Sequence, residues 1–158
     1  MIVVADSSPL HYLILVEQVG LLRHLYSEFL IPQAVAAELT RPAAPSEVRT
    51  WVSAPPAWLR VMPVNAEEMA NISESLDIGE RAALALAEIV RADLVLIDEA
   101  AGRAEARRRN LRVTGTVGVL RIAAEMGLVN VSDVLSRLEA TSFYIDEELL
   151  RSIFAPWL

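Results

Sequence analysis

The sequence predicts an α/β fold of three layers, a central and mainly parallel sheet of four to five strands with helices on both faces, and three observations lead there. Ile2–Ala5 and Leu94–Ile97 are short, all-apolar runs rich in β-branched residues, which suit strands buried on both faces and are too short for helices. Each run ends abruptly in an acid, Asp6 and Asp98. Strand-like and helix-like stretches alternate along the chain, the order that yields parallel strands joined by right-handed helical crossovers.

The elements follow in order. After the first strand, Ser7, Ser8 and Pro9 stop the extended run; Ser8 can cap the next helix, and Pro9 suits its first turn. Leu10–Val16 and Leu21–Tyr26 read as two short helices broken at Gly20, and Phe29–Ile31 as a second strand. Pro32 opens a helix carrying Ala34–Leu39, with Glu38 near its end. Thr40–Ser46, with two prolines, reads as an exposed loop, Glu47–Val52 as a helical turn and Leu59–Val64 as an edge strand that tolerates Pro63. From Asn65 the pattern turns helical, and Leu76–Glu80 introduces an alanine-rich helix over Arg81–Val90. Beyond the strand ending at Asp98, Glu99–Arg109 predicts an amphipathic helix, Leu111–Val113 a short strand and Gly115–Met126 a further helix. Val131–Leu158 reads as a C-terminal helical extension of a single domain spanning 1–158.

A chain of 158 residues can bury roughly 70% of its unfolded surface and needs no covalent staples. Cysteine is absent, which excludes disulfides, thiolate metal sites and a cysteine nucleophile, and which agrees with a reducing cytoplasm. His11 and His24 lack zinc-motif spacing and lie in helix-like apolar stretches, so a structural role is expected for both. No apolar stretch approaches the ~18 residues of a membrane span, and no charged leader precedes the first strand; a soluble, cytoplasmic protein is expected. The net charge of −7 argues against a general nucleic-acid coating protein, while every one of the 14 basic residues is arginine, so no mechanism can use a lysine.

Two parallel strands ending in acids can set both carboxylates on the ligand-binding edge of the sheet. Asp6 in an Asx turn and Asp98 as a helix cap are the structural alternatives. Glu80 lies three residues after Asp77, the spacing of a capping box. Glu38, near a helix C-terminus, is opposed by the macrodipole and calls for solvent or a partner. Together Asp6, Glu38, Glu80 and Asp98 can form a cage of oxygen ligands of the kind Mg²⁺ or Mn²⁺ prefers; without a cation they would repel and their pKa values would rise.

In order and spacing, Val4–Leu10, Ile31–Pro32 with Glu38–Leu39, Leu76–Glu80, Leu96–Glu99 and Thr114–Thr116 resemble the PIN-domain nucleases, in particular a branch close to the VapC toxins of toxin–antitoxin modules. The resemblance covers most of the chain to about Leu128. It implies a PIN-like fold and places Mg²⁺ or Mn²⁺ on Asp6, Glu38, Glu80 and Asp98, with Glu99 as an additional candidate; glutamate at position 80 departs from the aspartate common among the toxins. Ser7 is expected to orient the metal or its water, and Thr114 and Thr116 either to meet phosphate or to cap a helix.

On the substrate side, six arginines face four acids between Arg91 and Arg112, a local excess of positive charge. Arg103, one turn beyond Asp98, is the candidate phosphate contact; Arg107–Arg109 suit an acidic partner equally well. Several of these arginines also have the spacing of ordinary surface ion pairs. The expected activity is metal-dependent endoribonuclease hydrolysis of RNA, in a toxin held silent by a small antitoxin. The alternatives are a catalytically weak interaction module and, less favoured, a phosphatase or phosphoacceptor using Asp6 as nucleophile. The leucines of the first two helices exceed what one sheet face would bury, which points to a homodimer or an antitoxin groove.

Overall fold

A computed structural model describes residues 1–158. Five strands, β1 (Ile2–Ala5), β2 (Glu28–Pro32), β3 (Leu59–Met62), β4 (Leu94–Leu96) and β5 (Val113–Thr114), form one sheet in the order β3-β2-β1-β4-β5. Every neighbouring pair is parallel, as the alternation of elements predicts. The chain builds outward from β1 through β2 to β3, then restarts on the other side of β1 with β4. The strand order therefore reverses between β1 and β4, whose register pairs Ala5 with Leu96. Asp6 and Asp98 follow these two strands, at the switch point where open parallel sheets bind ligands.

Strand periodicity divides the apolar side chains between two cores. Val3, Ala5, Phe29, Ile31, Leu94 and Leu96 face the larger one. It is covered by α1 (Ser7–Leu15), α2 (Leu21–Leu25), α3 (Gln33–Leu39), α4 (Ser46–Ser53), α7 (Thr116–Glu125), α8 (Val131–Glu139) and α9 (Glu147–Phe154). Val4, Leu30, Val95 and Ile97 face the smaller core, beneath α5 (Ile78–Val90) and α6 (Ala100–Arg108). Alanines line α5 on the buried side and let it lie close to the sheet. No helix is long and apolar enough to cross a membrane.

The surplus of leucines has an internal answer. Leu13, Leu21 and Leu22 are buried, and Leu15 and Leu25 pack against the same core, which α8 and α9 extend through Leu135, Leu138, Leu150 and Phe154. An outside partner is not needed to cover them.

Two elements differ from the sequence expectation. The segment from Asn65 to Asp77 is a series of turns, with no regular helix. Its first residues do make a reciprocal helix-starting box, with the Asn65 N–H on Glu68 Oε1 and the Glu68 N–H on Asn65 Oδ1, each at 2.9 Å. Ser73 and Ser75 then bond to each other and to local backbone, competing with the helix, while Met69, Ile72 and Leu76 drop into the smaller core. The last strand begins two residues later than expected, because Leu111 belongs to the end of α6. Asn110 takes a left-handed conformation (φ 61°), and the Leu111 N–H reaches back to the Ala106 carbonyl at 2.9 Å, closing a Schellman motif.

Arg109 staples this region. Its guanidinium bonds to Glu105 Oε1 at 2.9 Å, to Glu88 Oε1 at 2.8 Å and to the carbonyl of Asn71, joining α6, α5 and the turn segment that leads to Asp77. Arg109→Ala strips the buried Glu105 of a partner and should lower the unfolding free energy by about 2–3 kcal/mol in urea titration.

Candidate active site

The acids arrive by different routes. Asp6 leaves β1 as the N-cap of α1, which begins with Ser7 two residues earlier than a Ser8 cap would place it; Pro9 still falls in the first turn. The Asp6 N–H continues the ladder to Leu96 O at 2.9 Å, fixing the carboxyl between the two central strands. Asp6 is only 4% exposed, and its Oδ1 has no hydrogen-bond partner. An isolated buried carboxylate oxygen is costly, and a cation or a proton relieves it.

Glu38, in the last turn of α3, finds the partner its position demands in Ser7, whose Oγ donates to Glu38 Oε2 at 2.6 Å. Between Asp6 and Glu38 lies Gly79, in the first turn of α5. A Cβ there would sit 2.9 Å from Asp6 Oδ1, 3.0 Å from Glu38 Oε2 and 3.4 Å from Asp77 Oδ1, so the absent methyl leaves a space edged by three carboxylates.

Glu80 separates its backbone from its carboxylate. Its backbone N–H donates to Asp77 Oδ1 at 2.8 Å, the cap half of a capping box. Its own carboxylate does not close the box; it is buried across the α5–α6 interface, where a Cβ on Gly102 would meet Oε2 at 2.9 Å. Asp98 is the most thoroughly held. Oδ1 accepts from the Thr116 N–H at 2.7 Å, while Oδ2 accepts from Thr116 Oγ at 2.7 Å and Ser8 Oγ at 2.6 Å. Asp98 thus caps α7, not the helix that follows it in sequence.

The remaining candidates occupy the surroundings. Glu99 is exposed as the N-cap of α6 and makes no side-chain cap bond. Thr116 is fully buried with its hydroxyl committed to Asp98, and Thr114 lies against Gly118. Arg103 folds back to bond the Asp98 carbonyl and, with Arg107, lines a cleft that runs to Asp98.

Sequence reasoning missed three neighbours. Asp77 stands close enough to repel both Asp6 and Glu80. His11 and Arg41 line a cleft of about 420 Å³ that also holds Ser7, Glu38 and Glu99. His11 lies one turn past Ser7 and Ser8, and Arg41 three residues past Glu38, so one-turn spacing was the available signal for both.

The electrostatics follow from the crowding. Burial pushes the Asp6 carboxyl up to about 7; the Ser7 N–H pulls the other way, and Asp77, Glu38 and Asp98 add to the rise. Glu80 is likewise raised, by burial first, then by sharing a proton with Asp77 and by repulsion from Asp77, Asp6 and Glu99. His11 is lowered by burial, against the attraction of Glu38. No three acid or histidine side chains already stand as a ligating cluster. The donor chemistry nevertheless fits a hard divalent ion: oxygen atoms only, with a buried, unpartnered Asp6 Oδ1 beside the space over Gly79.

A parallel α/β sheet with acids gathered over its switch point belongs to the class of open α/β folds whose ligands bind at that edge. Residues 2–157 match the PIN domain family, and the chain belongs to it. PIN domains are typically nucleases and usually bind Mg²⁺ or Mn²⁺. No curated protein matches the chain.

The raised Asp6 carboxyl has a pH signature. In the unfolded chain it titrates near 3.8, in the folded chain at about 7, so across that window the folded state keeps a proton that the unfolded state releases. The stabilisation is complete below the lower value and is lost as pH rises through the upper one. In chelator, urea titrations should show stability falling between these limits by up to about 4 kcal/mol, and Asp6→Asn should flatten most of that slope.

Proposed function

We propose that this PIN domain is a metal-dependent endoribonuclease, the toxin of a VapBC-type module, acting in the cytoplasm on RNA phosphodiesters and silenced by a small antitoxin. Asp6 carries most of the weight, with its buried, unpartnered Oδ1 facing Glu38 across the space over Gly79. Asp6, Glu38, Glu80 and Asp98 hold the Mg²⁺ or Mn²⁺, with Glu99 and Asp77 at its margin. The bound ion supplies a lowered pKa for the attacking water and charge stabilisation at phosphorus. The chain's own residues do the positioning. Ser7 fixes Glu38, while Ser8 and Thr116 fix Asp98. Arg103, with one nitrogen anchored on the Asp98 carbonyl, presents the rest of its guanidinium to a phosphate oxygen. Thr114 lies on the wall of the same cleft.

A second reading has one observation in its favour. Both Asp98 oxygens already accept hydrogen bonds, as in a purely structural cap, which suits a catalytically weak interaction module.

Calorimetric titration of Mn²⁺ separates the two. The nuclease should bind the ion, lose binding on Asp6→Asn without loss of circular dichroism, and lose at least about 100-fold in RNA cleavage rate. Gly79→Ala, which drives a methyl among the carboxylates, should weaken Mn²⁺ binding about 10- to 100-fold while the helix forms normally. A folded wild type that binds no Mn²⁺ at millimolar concentration, with RNA present, would leave only the interaction module.

A further inference from the structure

The segment between α8 and α9 forms a wall beside the acids. Its residues alternate in and out. Phe143 packs edge-to-face on Tyr12, ring centroids 4.9 Å apart, and the Tyr12 hydroxyl shares a 2.9 Å hydrogen bond with Ser142 Oγ. Phe143 and Ile145 both pack against the larger core. Tyr144, between them, is turned outward and is 96% exposed, with no hydrogen bond and no aromatic partner, so nothing in the fold uses its ring.

That ring stands on a divide. Two clefts, of about 480 and 410 Å³, both reach Asp98 and are both edged by Phe143 and Tyr144. The smaller contains Ser8 and the acidic Glu99; the larger contains Arg103 and Arg107, and Arg107 is exposed without an ion-pair partner. One exposed aromatic on a surface is ordinary. An exposed aromatic held by half-buried neighbours that pack on the core, next to two guanidinium groups in a cleft ending at the acidic site, is a combination suited to single-stranded nucleic acid, with phosphates on the cations and a base on the ring.

We propose that Tyr144 is a stacking platform for one base of single-stranded RNA, whose backbone follows the Arg103–Arg107 cleft toward Asp98. The inference rests on the nuclease reading and adds to it a residue that holds the substrate, the Tyr144 ring, which takes an unpaired base without the unstacking cost that a duplex would impose. The site then has two separable parts. The acids determine turnover and the ring determines hold.

The test uses a short fluorescein-labelled single-stranded oligouridylate, followed by anisotropy in chelator and by steady-state cleavage with Mn²⁺. Tyr144→Ala should weaken binding and raise KM roughly 5- to 100-fold with kcat within about twofold, Tyr144→Trp should restore both, and Tyr144→Leu should not. Wild type that cleaves, with Tyr144→Ala indistinguishable from it, would overturn the platform and leave the nuclease standing. Rescue by leucine as complete as by tryptophan would overturn it too, since stacking needs a π-face. If Tyr144→Ala left RNA binding intact but abolished self-association in sedimentation velocity, the ring would belong to a protein interface and the proposal would fall. Wild type that neither binds nor cleaves RNA would overturn both readings.

Discussion

Gathering acids at one edge of the sheet, with Asp6 and Glu80 buried there, is the constraint from which the rest of the structure follows. Parallel topology offsets part of the cost. Each helix that follows a strand begins at the strand's carboxyl edge, so α1, α6 and α7 direct their N-termini there, and α5 arrives with Asp77 as its cap. The positive end of each macrodipole is worth about 0.3–1 kcal/mol to a nearby carboxylate. Asp6 is itself an N-cap, and Asp98 bonds the first N–H of α7. Burial still wins at Asp6, where the helix N–H lowers the carboxyl but does not return it to its ordinary range. The edge keeps a standing demand for positive charge, which a proton meets below the raised Asp6 value and which, on the proposed function, a divalent cation meets above it.

Space at that edge is made by residues without side chains. Gly79 lies against Asp6 and Glu38, Gly102 against Glu80 and Gly115 against Asp98, each at a separation that a Cβ would bring to 3.0 Å or less. Carboxylates pressed on backbone are shielded from water but not neutralised. Hydroxyls supply the orientation, since Ser7, Ser8 and Thr116 donate only to acids of the site. Packing and polarity therefore act on the same few groups: the glycines set how near the acids stand, the hydroxyls which way they point.

How much of this was legible in the sequence depended on the range of the interaction. Asp6 and Asp98 could be read because a doubly buried strand is an unbroken apolar run and its ending is unmistakable. Glu80 could be read only as an ambiguity, cap or ligand, and the structure shows that the two are compatible: the cap bond uses the backbone N–H, so the helix start does not commit the carboxylate. The false helix at Asn65 came from a genuine local signal, a reciprocal Asn65–Glu68 box, overridden by serines a turn later. Asp77 beside Asp6 and Tyr144 beside Asp98 leave no local trace. Their neighbours come from distant parts of the chain, and only the order of strands in the sheet brings them together.

The C-terminal helices tie stability to the site. Leu138, Leu150 and Phe154 complete the larger core, while the segment they anchor carries Phe143 onto Tyr12 of α1, the helix that Asp6 caps. The cleft wall is thus held by the same contacts that fill the core, and it cannot move far without opening that core. On the proposed function, a chain of net charge −7 must meet a polyanion and needs its cations placed locally, and Arg103 and Arg107 stand in the cleft between this wall and the β5–α7 turn. The acids lie at the far end of that cleft, at Asp98, so a phosphate entering past the arginines is drawn first by the guanidinium groups and then faces the carboxylates. Those carboxylates repel it unless a divalent cation intervenes. On the proposed function, metal occupancy therefore governs access as well as chemistry, and the arginines alone would hold the RNA short of the acids.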